Sequence, residues 1–252
     1  MKYTLGGLFS GIGGLEMGLE STGRFETKWQ AEVDPFCRKV LAKNWPDVKI
    51  YEDVKHVGVE NEVENVDVIC GGFPCQDLSS AREGSGQGTG KGLDGKKSGL
   101  YREFVRTIRE LEPKGFVIEN VPNLVNRGLH TILGEVAEIG YDAEWHIVSA
   151  ASVGGQHLRK RVFVMGYANS SHPQRGWLSS GVHEEVKDPH CPSGWRPDKT
   201  WPIEPDFPRV ADGVPDWSHR VKALGNAVVP KVAGVVGLRM LDILDSIDWR
   251  DR

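Results

Sequence analysis

The sequence predicts an α/β fold, with helices on both faces of a Rossmann-like sheet. Over the first two thirds of the chain, short apolar runs of strand length alternate with stretches of helical periodicity. This alternation is typical of strands joined by crossover helices. Apolar residues make up 39% of the 252 residues, which is enough for one well-buried core.

Each predicted element follows from the local spacing of its apolar residues. The predicted strands lie near Tyr3–Phe9, Thr27–Ala31, Val66–Cys70, Phe116–Ile118, Glu144–Val148 and Arg161–Met165. The predicted helices are Gly13–Ser21, Pro35–Asn44, Leu100–Leu111 and Leu129–Ile139. The third helix is the clearest, because its apolar residues fall on one face: Leu100, Phe104, Val105, Ile108 and Leu111.

Two stretches interrupt this alternation. Residues 83–99 hold seven glycines and few apolar side chains, so we expect a mobile loop there. Residues 168–208 are rich in proline and lack a clear period, which indicates a small irregular insert, and Val228–Leu244 then resumes helical spacing. We therefore expect a catalytic and cofactor-binding domain (1–167), an insert (168–208) and a return segment (209–252) that completes the first domain.

Composition narrows the location of the protein and the kinds of site it can hold. No apolar stretch approaches the roughly 20 residues of a membrane span. A motif begins directly after Met1–Leu5, which leaves no room for a signal peptide. Cys37, Cys70, Cys75 and Cys191 show no paired C-x-x-C spacing, so we expect no metal site and a reduced, cytoplasmic protein.

The charge distribution leaves two interpretations open. The net charge of −4 argues weakly against a nucleic-acid partner. Between Gln156 and His183, however, there is no acidic residue, and four basic residues occur: Arg159, Lys160, Arg161 and Arg175. Such a stripe can engage phosphates, although an ordinary solvated surface has the same composition.

Three features at successive strand ends predict a pocket for an adenosine-containing cofactor. Phe9–Leu15 is a glycine-rich turn between a strand and a helix, where the backbone can approach a ligand closely. Glu32 ends the next strand, where a carboxylate can accept hydrogen bonds from ribose hydroxyls. Asp53 follows the third apolar stretch and can accept from an adenine amino group. The glycines lack the full G-x-G-x-x-G spacing, which disfavours NAD.

A second set of residues brings a nucleophile, an acid and two cations to one edge of the sheet. Cys75 follows Pro74 on a turn at the end of a strand, the usual ligand crevice of an open α/β sheet. Glu119 ends a strand that we expect to lie next to the strand that leads to Cys75. Arg159 and Arg161 are two residues apart, so we expect them on one side of a strand.

Five motifs in order resemble those of the DNA (cytosine-5-)-methyltransferase family of bacterial and phage type. They are the glycine turn, Pro74-Cys75-Gln76, Glu119-Asn120-Val121, Arg159-x-Arg161 and Gly225-Asn226-Ala227-Val228-Val229-Pro230. The resemblance runs from about Leu8 to Ala233, interrupted by the insert. It implies a sheet that binds S-adenosylmethionine, double-stranded DNA as substrate and a target-recognition role for the insert.

The resemblance also implies a mechanism, in which the target cytosine is flipped out of the duplex. The Cys75 thiolate adds to C6, which makes C5 nucleophilic enough to take the methyl group. Glu119, held protonated or sharing a proton with N3, stabilises that adduct, and Arg161 holds O2. Arg159 supports the nucleophile loop or contacts the DNA backbone, and Asn120 fixes its own turn.

Further site residues follow from the same resemblance. Cofactor contacts are implied for Phe9, Gly11, Gly13, Gly14, Leu15, Glu32, Asp53, Val54, Pro74, Leu100, Asn226 and Val228. DNA contacts are implied for Ser85, Gln87, Arg159, Arg175 and Arg196.

The insert departs from the family pattern because 168–208 is short for reading several base pairs. We expect a monomer that works alone, beside a cognate restriction endonuclease, or with a recognition subunit. One alternative is a tRNA cytosine C5 methyltransferase, since a short segment suits a shaped RNA. Another is a DNA-binding subunit without catalysis, against which the intact Cys75, Glu119 and Arg161 argue.

Overall fold

A computed structural model describes residues 2–74, 100–168, 217–247 and 249 of the chain. Seven strands form one sheet: β1 (Tyr3–Leu8), β2 (Phe25–Ala31), β3 (Lys49–Tyr51), β4 (Val68–Gly71), β5 (Gly115–Asn120), β6 (Tyr141–Val148) and β7 (Arg161–Ala168). Their order across the sheet is β3-β2-β1-β4-β5-β7-β6. The predicted α/β fold is confirmed. The predictions for residues 83–99, and for the insert beyond Ala168, lie outside the described residues.

Strand direction decides which residues meet at the functional edge. β1 pairs in parallel with β2 and β4, and β4 pairs in parallel with β5. β7 is antiparallel to both of its neighbours, β5 and β6. The start of β7 therefore lies at the edge where β4 and β5 end, and Val162 pairs with Asn120. This reversal brings Arg161 to the edge where β4 and β5 end, although it begins its strand rather than ending it.

Seven helices accompany the sheet within the described residues: α1 (Gly14–Glu20), α2 (Pro35–Asn44), α3 (Tyr101–Leu111), α4 (Leu124–Arg127), α5 (Leu129–Glu138), α6 (Trp217–Asn226) and α7 (Pro230–Ser246). The predicted helices are all present and differ only at their ends. α2 starts where predicted because Asp34 caps it: its carboxylate accepts from the backbone N–H groups of Phe36 and Cys37. Pro35 takes the first helical position, where no N–H is needed.

The two faces of the sheet bury separate cores. Adjacent residues of β4 point to opposite faces, so Val68 packs with α1 and α7 whereas Ile69 packs with α3 and α5. Val117 and Phe116 of β5 divide in the same way. Because both faces are covered, these central strands read as continuous apolar runs without polar alternation.

A buried ion pair fixes α7 against the outer strand β6. Arg239 is 5% exposed, and its Nε and Nη2 donate to the two carboxylate oxygens of Glu144 at 2.7 and 2.8 Å. This two-point contact also specifies how α7 lies on the sheet, because moving it would leave a buried charge without its partner.

Several boundaries differ from the predictions. β3, α4 and α6 were not predicted, and β3 and α4 are only three and four residues long. Phe9 lies beyond β1, with φ at 55°, and Glu119 lies within β5 because pairing with β7 extends that strand. Arg159 precedes β7, so the expectation that both arginines share a strand is wrong. Ala168, assigned to the insert, ends β7.

None of the helices in the described part of the chain combines the length and apolar character needed to cross a membrane. Within residues 2–74, 100–168, 217–247 and 249, side chains of His, Cys, Asp and Glu form no group of three placed to hold a metal ion.

Candidate active site

The glycine turn between β1 and α1 exposes backbone at the edge of the sheet. Phe9, Gly11 and Gly13 all have positive φ, at 55°, 57° and 82°. Glycine adopts such angles without steric cost, and in this turn the chain folds back tightly on itself before α1 begins. Gly13 has a second constraint, since a Cβ there would lie 2.4 Å from the Trp45 ring.

Glu32 joins this turn to the end of β2. Its Oε2 accepts from the Gly11 backbone N–H at 2.7 Å, and its Oε1 accepts from the Asp34 N–H at 2.8 Å. Each carboxylate oxygen has a further lone pair, so Glu32 can still accept from a pair of ligand hydroxyls. The residue is partly exposed, which leaves it accessible.

Asp53 begins a short 3-10 turn, Val54–His56, just after β3. Its Oδ1 accepts from the Lys55 backbone N–H at 3.0 Å, which fixes the orientation of the carboxylate. The Val54 side chain is buried in the core beneath the turn. Glu32 and Asp53 therefore stand at the ends of the paired strands β2 and β3, as two acceptors held by backbone contacts.

The return segment packs directly against the glycine turn. A Cβ on Gly14 would lie 2.5 Å from the Val228 carbonyl oxygen, so only glycine allows this approach. Arg159 holds the same segment: its Nη2 donates to the Gly225 carbonyl at 2.9 Å and also to the Ala227 carbonyl. These two contacts lie on either side of Asn226, in the segment whose Val228 carbonyl meets Gly14. Arg159 therefore positions this loop, a contact that the motif alone did not predict.

Glu119 lies at the centre of the second group. Its carboxylate accepts from the Arg161 Nε at 2.9 Å, and its Oε2 would be 2.7 Å from a Cβ on Gly72. Burial raises the pKa of Glu119 to about 7, and the positive charges of Arg161 and Arg159 limit that rise. A carboxyl group with this pKa can hold or release a proton near neutral pH.

Asn120 connects Glu119 to the turn that leads into Cys75. Its Nδ2 donates to the Phe73 carbonyl at 3.1 Å, and its Oδ1 accepts from the Val121 backbone N–H at 2.9 Å. Asn120 and Phe73 are almost fully buried, so the hydrogen bond between them is rigid. The expected role of Asn120 in fixing the turn agrees with this geometry. Because β4 and β5 are neighbours, Glu119 and the Gly72–Pro74 turn face each other.

The remaining predicted site residues divide into three groups. Pro74 and Leu100 flank the undescribed stretch 75–99 and are partly exposed. The Leu15 side chain is buried in the core with α7, so only its backbone can face a ligand. The last group lies outside the described residues: Cys75, Ser85, Gln87, Arg175 and Arg196.

Sequence reasoning missed several residues around the glycine turn. Val33, directly after Glu32, is 72% exposed and offers an apolar surface beside the carboxylate. Lys222 of α6 pairs with Asp34 at 3.1 Å, and the His219 ring stacks on Phe36 with centroids 5.8 Å apart. The position of Val33 next to Glu32 was a usable signal. The contacts of α6 had no signal in the sequence, because they join segments separated by some 180 residues.

Glu16 is a buried carboxyl group beneath the same turn. It is 1% exposed, and its Oε1 lies close to Gly7. Burial raises its pKa from 4.5 to about 7, with Glu20 adding to the rise and Ser10 and Gln30 opposing it. The folded chain therefore holds a proton on Glu16 that the unfolded chain releases between these two pH values.

We expect Glu16→Gln to stabilise the protein increasingly as pH rises. From pH 4.5 to about 7 the folded state binds more protons than the unfolded state, so wild-type stability falls through that window. The full difference is on the order of 3 kcal/mol, which glutamine avoids. Urea unfolding at pH 4 and pH 8 measures it: the variant should match wild type at pH 4 and exceed it at pH 8. An equal difference at both values would contradict the assignment.

Comparison with known proteins shows the family to which the chain belongs. A family model described as C-5 cytosine-specific DNA methylase matches residues 3–202. The chain belongs to this family. The match includes the glycine turn, Pro74-Cys75, Glu119 and Arg161, whereas the Asn226 segment lies beyond it.

Two type II methyltransferases are among the relatives of this chain. M2.BsuMI of Bacillus subtilis is 38% identical over 166 residues, which cover 63% of this chain and 40% of that protein. M.Sau3AI of Staphylococcus aureus is 35% identical over 178 residues, covering 64% of this chain and 42% of that protein. The chain thus spans about two fifths of the length of these relatives.

A solved structure supports the fold. A protein encoded in an Escherichia coli prophage superposes with a TM-score of 0.55 and 28% sequence identity. The superposition covers 67% of this chain and 47% of that protein. This likeness agrees with the predicted α/β fold class, a Rossmann-like sheet with helices on both faces.

Proposed function

We propose that this chain transfers a methyl group from S-adenosylmethionine to C5 of cytosine in double-stranded DNA, with Cys75 as covalent nucleophile. One observation supports this most directly: Glu119, with a pKa of about 7, faces the Gly72–Pro74 turn that leads into Cys75. The type II methyltransferase names of M2.BsuMI and M.Sau3AI agree with a DNA substrate and with a cognate restriction endonuclease.

The residues around the glycine turn suit S-adenosylmethionine. Glu32 would accept from the two ribose hydroxyls, and Asp53 would accept from the adenine amino group. The exposed Val33 would cover one face of the adenine ring, as an apolar contact beside those polar ones. The backbone of Gly11 to Gly14, held by Glu32 and Val228, would accommodate the methionine part. When bound, the cofactor supplies an electrophilic methyl group.

The chain's own residues divide the remaining chemistry. The Cys75 thiolate adds to C6 of the cytosine, and Glu119 gives a proton to N3, so that the ring becomes an enamine with a nucleophilic C5. Arg161 would hold the cytosine O2 while it keeps Glu119 oriented. After C5 has taken the methyl group it loses its proton to solvent, the C6–sulfur bond breaks to release the Cys75 thiolate, and N3 returns its proton to Glu119. The ring has then regained its double bond.

Arg159 has a supporting role in this proposal. Its contacts to the carbonyls of Gly225 and Ala227 would hold the segment around Asn226, which meets the glycine turn where Val228 lies against Gly14. Its charge also reaches Glu119, where it favours the ionised form and so adjusts the proton affinity of the carboxyl group. The insert, residues 169–208, would read the target sequence, with Arg175 and Arg196 at base edges or phosphates.

Expression in a bacterial host without cytosine methylation tests the proposal. We expect cytosine-conversion sequencing to find methylated cytosines within one short sequence, absent from the host with an empty vector. Methylation of tRNA but not of DNA would mean that the substrate is tRNA and that the proposed DNA substrate is wrong. If purified chain binds S-adenosylmethionine but modifies neither nucleic acid, the stand-alone activity is wrong, and a recognition subunit must be sought.

A further inference from the structure

Arg106 of α3 is fully engaged by groups on both sides of it. Its Nε donates to Glu103 at 2.8 Å and its Nη1 to Glu110 at 2.9 Å, both on the same helix. Its Nη2 donates to two backbone carbonyls outside the helix, those of Val54 at 3.1 Å and Val57 at 2.9 Å. The two glutamates hold the guanidinium in one orientation, and that orientation is directed at the turn after Asp53.

The turn depends on this contact for its geometry. The Val54 carbonyl also accepts from the Val57 backbone N–H, as a 3-10 turn requires. Val57 is fully buried, so without Arg106 its carbonyl would lose a hydrogen bond in a place that water does not easily reach. The segment lies flat against the helix as well, because a Cβ on Gly58 would be 2.1 Å from Glu110 Oε2 and 2.9 Å from Arg106 Nη1.

Asp53 is held from the opposite end of the same turn. Its side chain caps the Lys55 N–H, so the position of the carboxylate depends on the path of residues 54–57. A shift of that path would move Asp53 without touching Glu32, which is held separately by Gly11 and Asp34. Among the described residues, the Arg106 guanidinium donates to the Val54 and Val57 carbonyls and to the carboxylates of Glu103 and Glu110.

We infer that Arg106 is a positioning residue for the adenosine half of the cofactor, acting through the Val54–Val57 turn on Asp53. This inference rests on the proposed cofactor. Loss of Arg106 should weaken cofactor binding because part of the binding free energy would be used to order the turn. The chemical step at Glu119, on a different strand end, should be unaffected once the cofactor is saturating.

The same helix offers a matched control. Arg109 is also on α3 and carries the same charge, but its side chain is exposed. Arg106→Ala should raise the Kd and KM for S-adenosylmethionine about tenfold or more while kcat changes less than about twofold. Arg109→Ala should leave all three values unchanged. Arg106→Lys should recover part of the affinity, since a single ammonium group can replace one of the two carbonyl contacts.

Titration calorimetry with two probes locates the effect. S-adenosylmethionine and 5′-methylthioadenosine, which lacks the amino-acid part, should lose affinity by the same factor in Arg106→Ala. A loss for the first probe alone, or a fall in kcat with unchanged KM, would overturn the inference. If Arg106→Ala fails to fold, the Lys variant decides, since wild-type affinity in it would also overturn the inference. If the wild-type chain binds neither probe, the proposed function fails instead.

Discussion

Cys75→Ala is expected to abolish methyl transfer to DNA. C5 of cytosine is too weak a nucleophile to attack a sulfonium methyl group, and without thiolate addition at C6 the ring cannot become an enamine. The loss should therefore be complete within the sensitivity of a single-turnover assay with a labelled methyl group. Cofactor affinity should stay at the wild-type value, because Glu32, Asp53 and Val33 are unchanged.

A covalent trap makes this prediction specific to the sulfur atom. A duplex carrying 5-fluorocytosine at the target position cannot lose a proton from C5, so the adduct should persist on a denaturing gel with wild-type chain and be absent with Cys75→Ala. Cys37→Ala is the matched control. Cys37 is a buried thiol whose pKa burial raises to about 12, so its removal should leave the adduct intact. An adduct in the Cys75 variant would show that another group attacks C6.

Glu119→Gln should lower the rate of methyl transfer by about 10²–10⁴-fold. Glutamine has the same shape, so it fits against Gly72 and can still meet Arg161, but it has no proton to give to N3. The variant should fold and bind S-adenosylmethionine as wild type does. Single-turnover rates at saturating cofactor and DNA measure the effect. A rate within a few-fold of wild type would mean that the proton comes from elsewhere.

The pH dependence gives an independent signature of the same residue. Burial raises the pKa of Glu119 to about 7, so the protonated fraction falls as pH rises through that value. The wild-type rate should therefore decline on the alkaline side, and this decline should be missing from Glu119→Gln. Glu138→Gln, at an exposed position of α5, should keep the wild-type profile. The same decline in Glu119→Gln would assign it to a different group.

Most elements near the site could be predicted because their signals are local. A proline after a capping residue, as at Asp34 and Pro35, sets the start of a helix within a few residues of sequence. The buried strands β1, β4 and β5 are short apolar runs followed by glycine or polar residues. The glycine turn, Glu32 and Glu119 could therefore be placed at strand ends before any tertiary contact was known.

Contacts between distant segments left no such signal. Lys222 meets Asp34, Arg159 holds the loop around Asn226, and Arg106 holds the Val54–Val57 turn. Each of these side chains is an ordinary charged residue on a helix or loop, and sequence spacing does not say which backbone it will reach. The short strand β3 was missed for a related reason, since three residues are too few to show a period.

The sequence by itself determined the α/β class and the order of most of the elements, because periodicity, turn chemistry and motif spacing act over short stretches of chain. The same motifs predict the reacting groups of the proposed function. Only the tertiary structure decided that β7 runs antiparallel between β5 and β6, and hence that Arg161 meets Glu119. Strand order depends on how the whole sheet buries its two faces against α1, α7, α3 and α5. That free energy belongs to the assembled core, and no single segment encodes it.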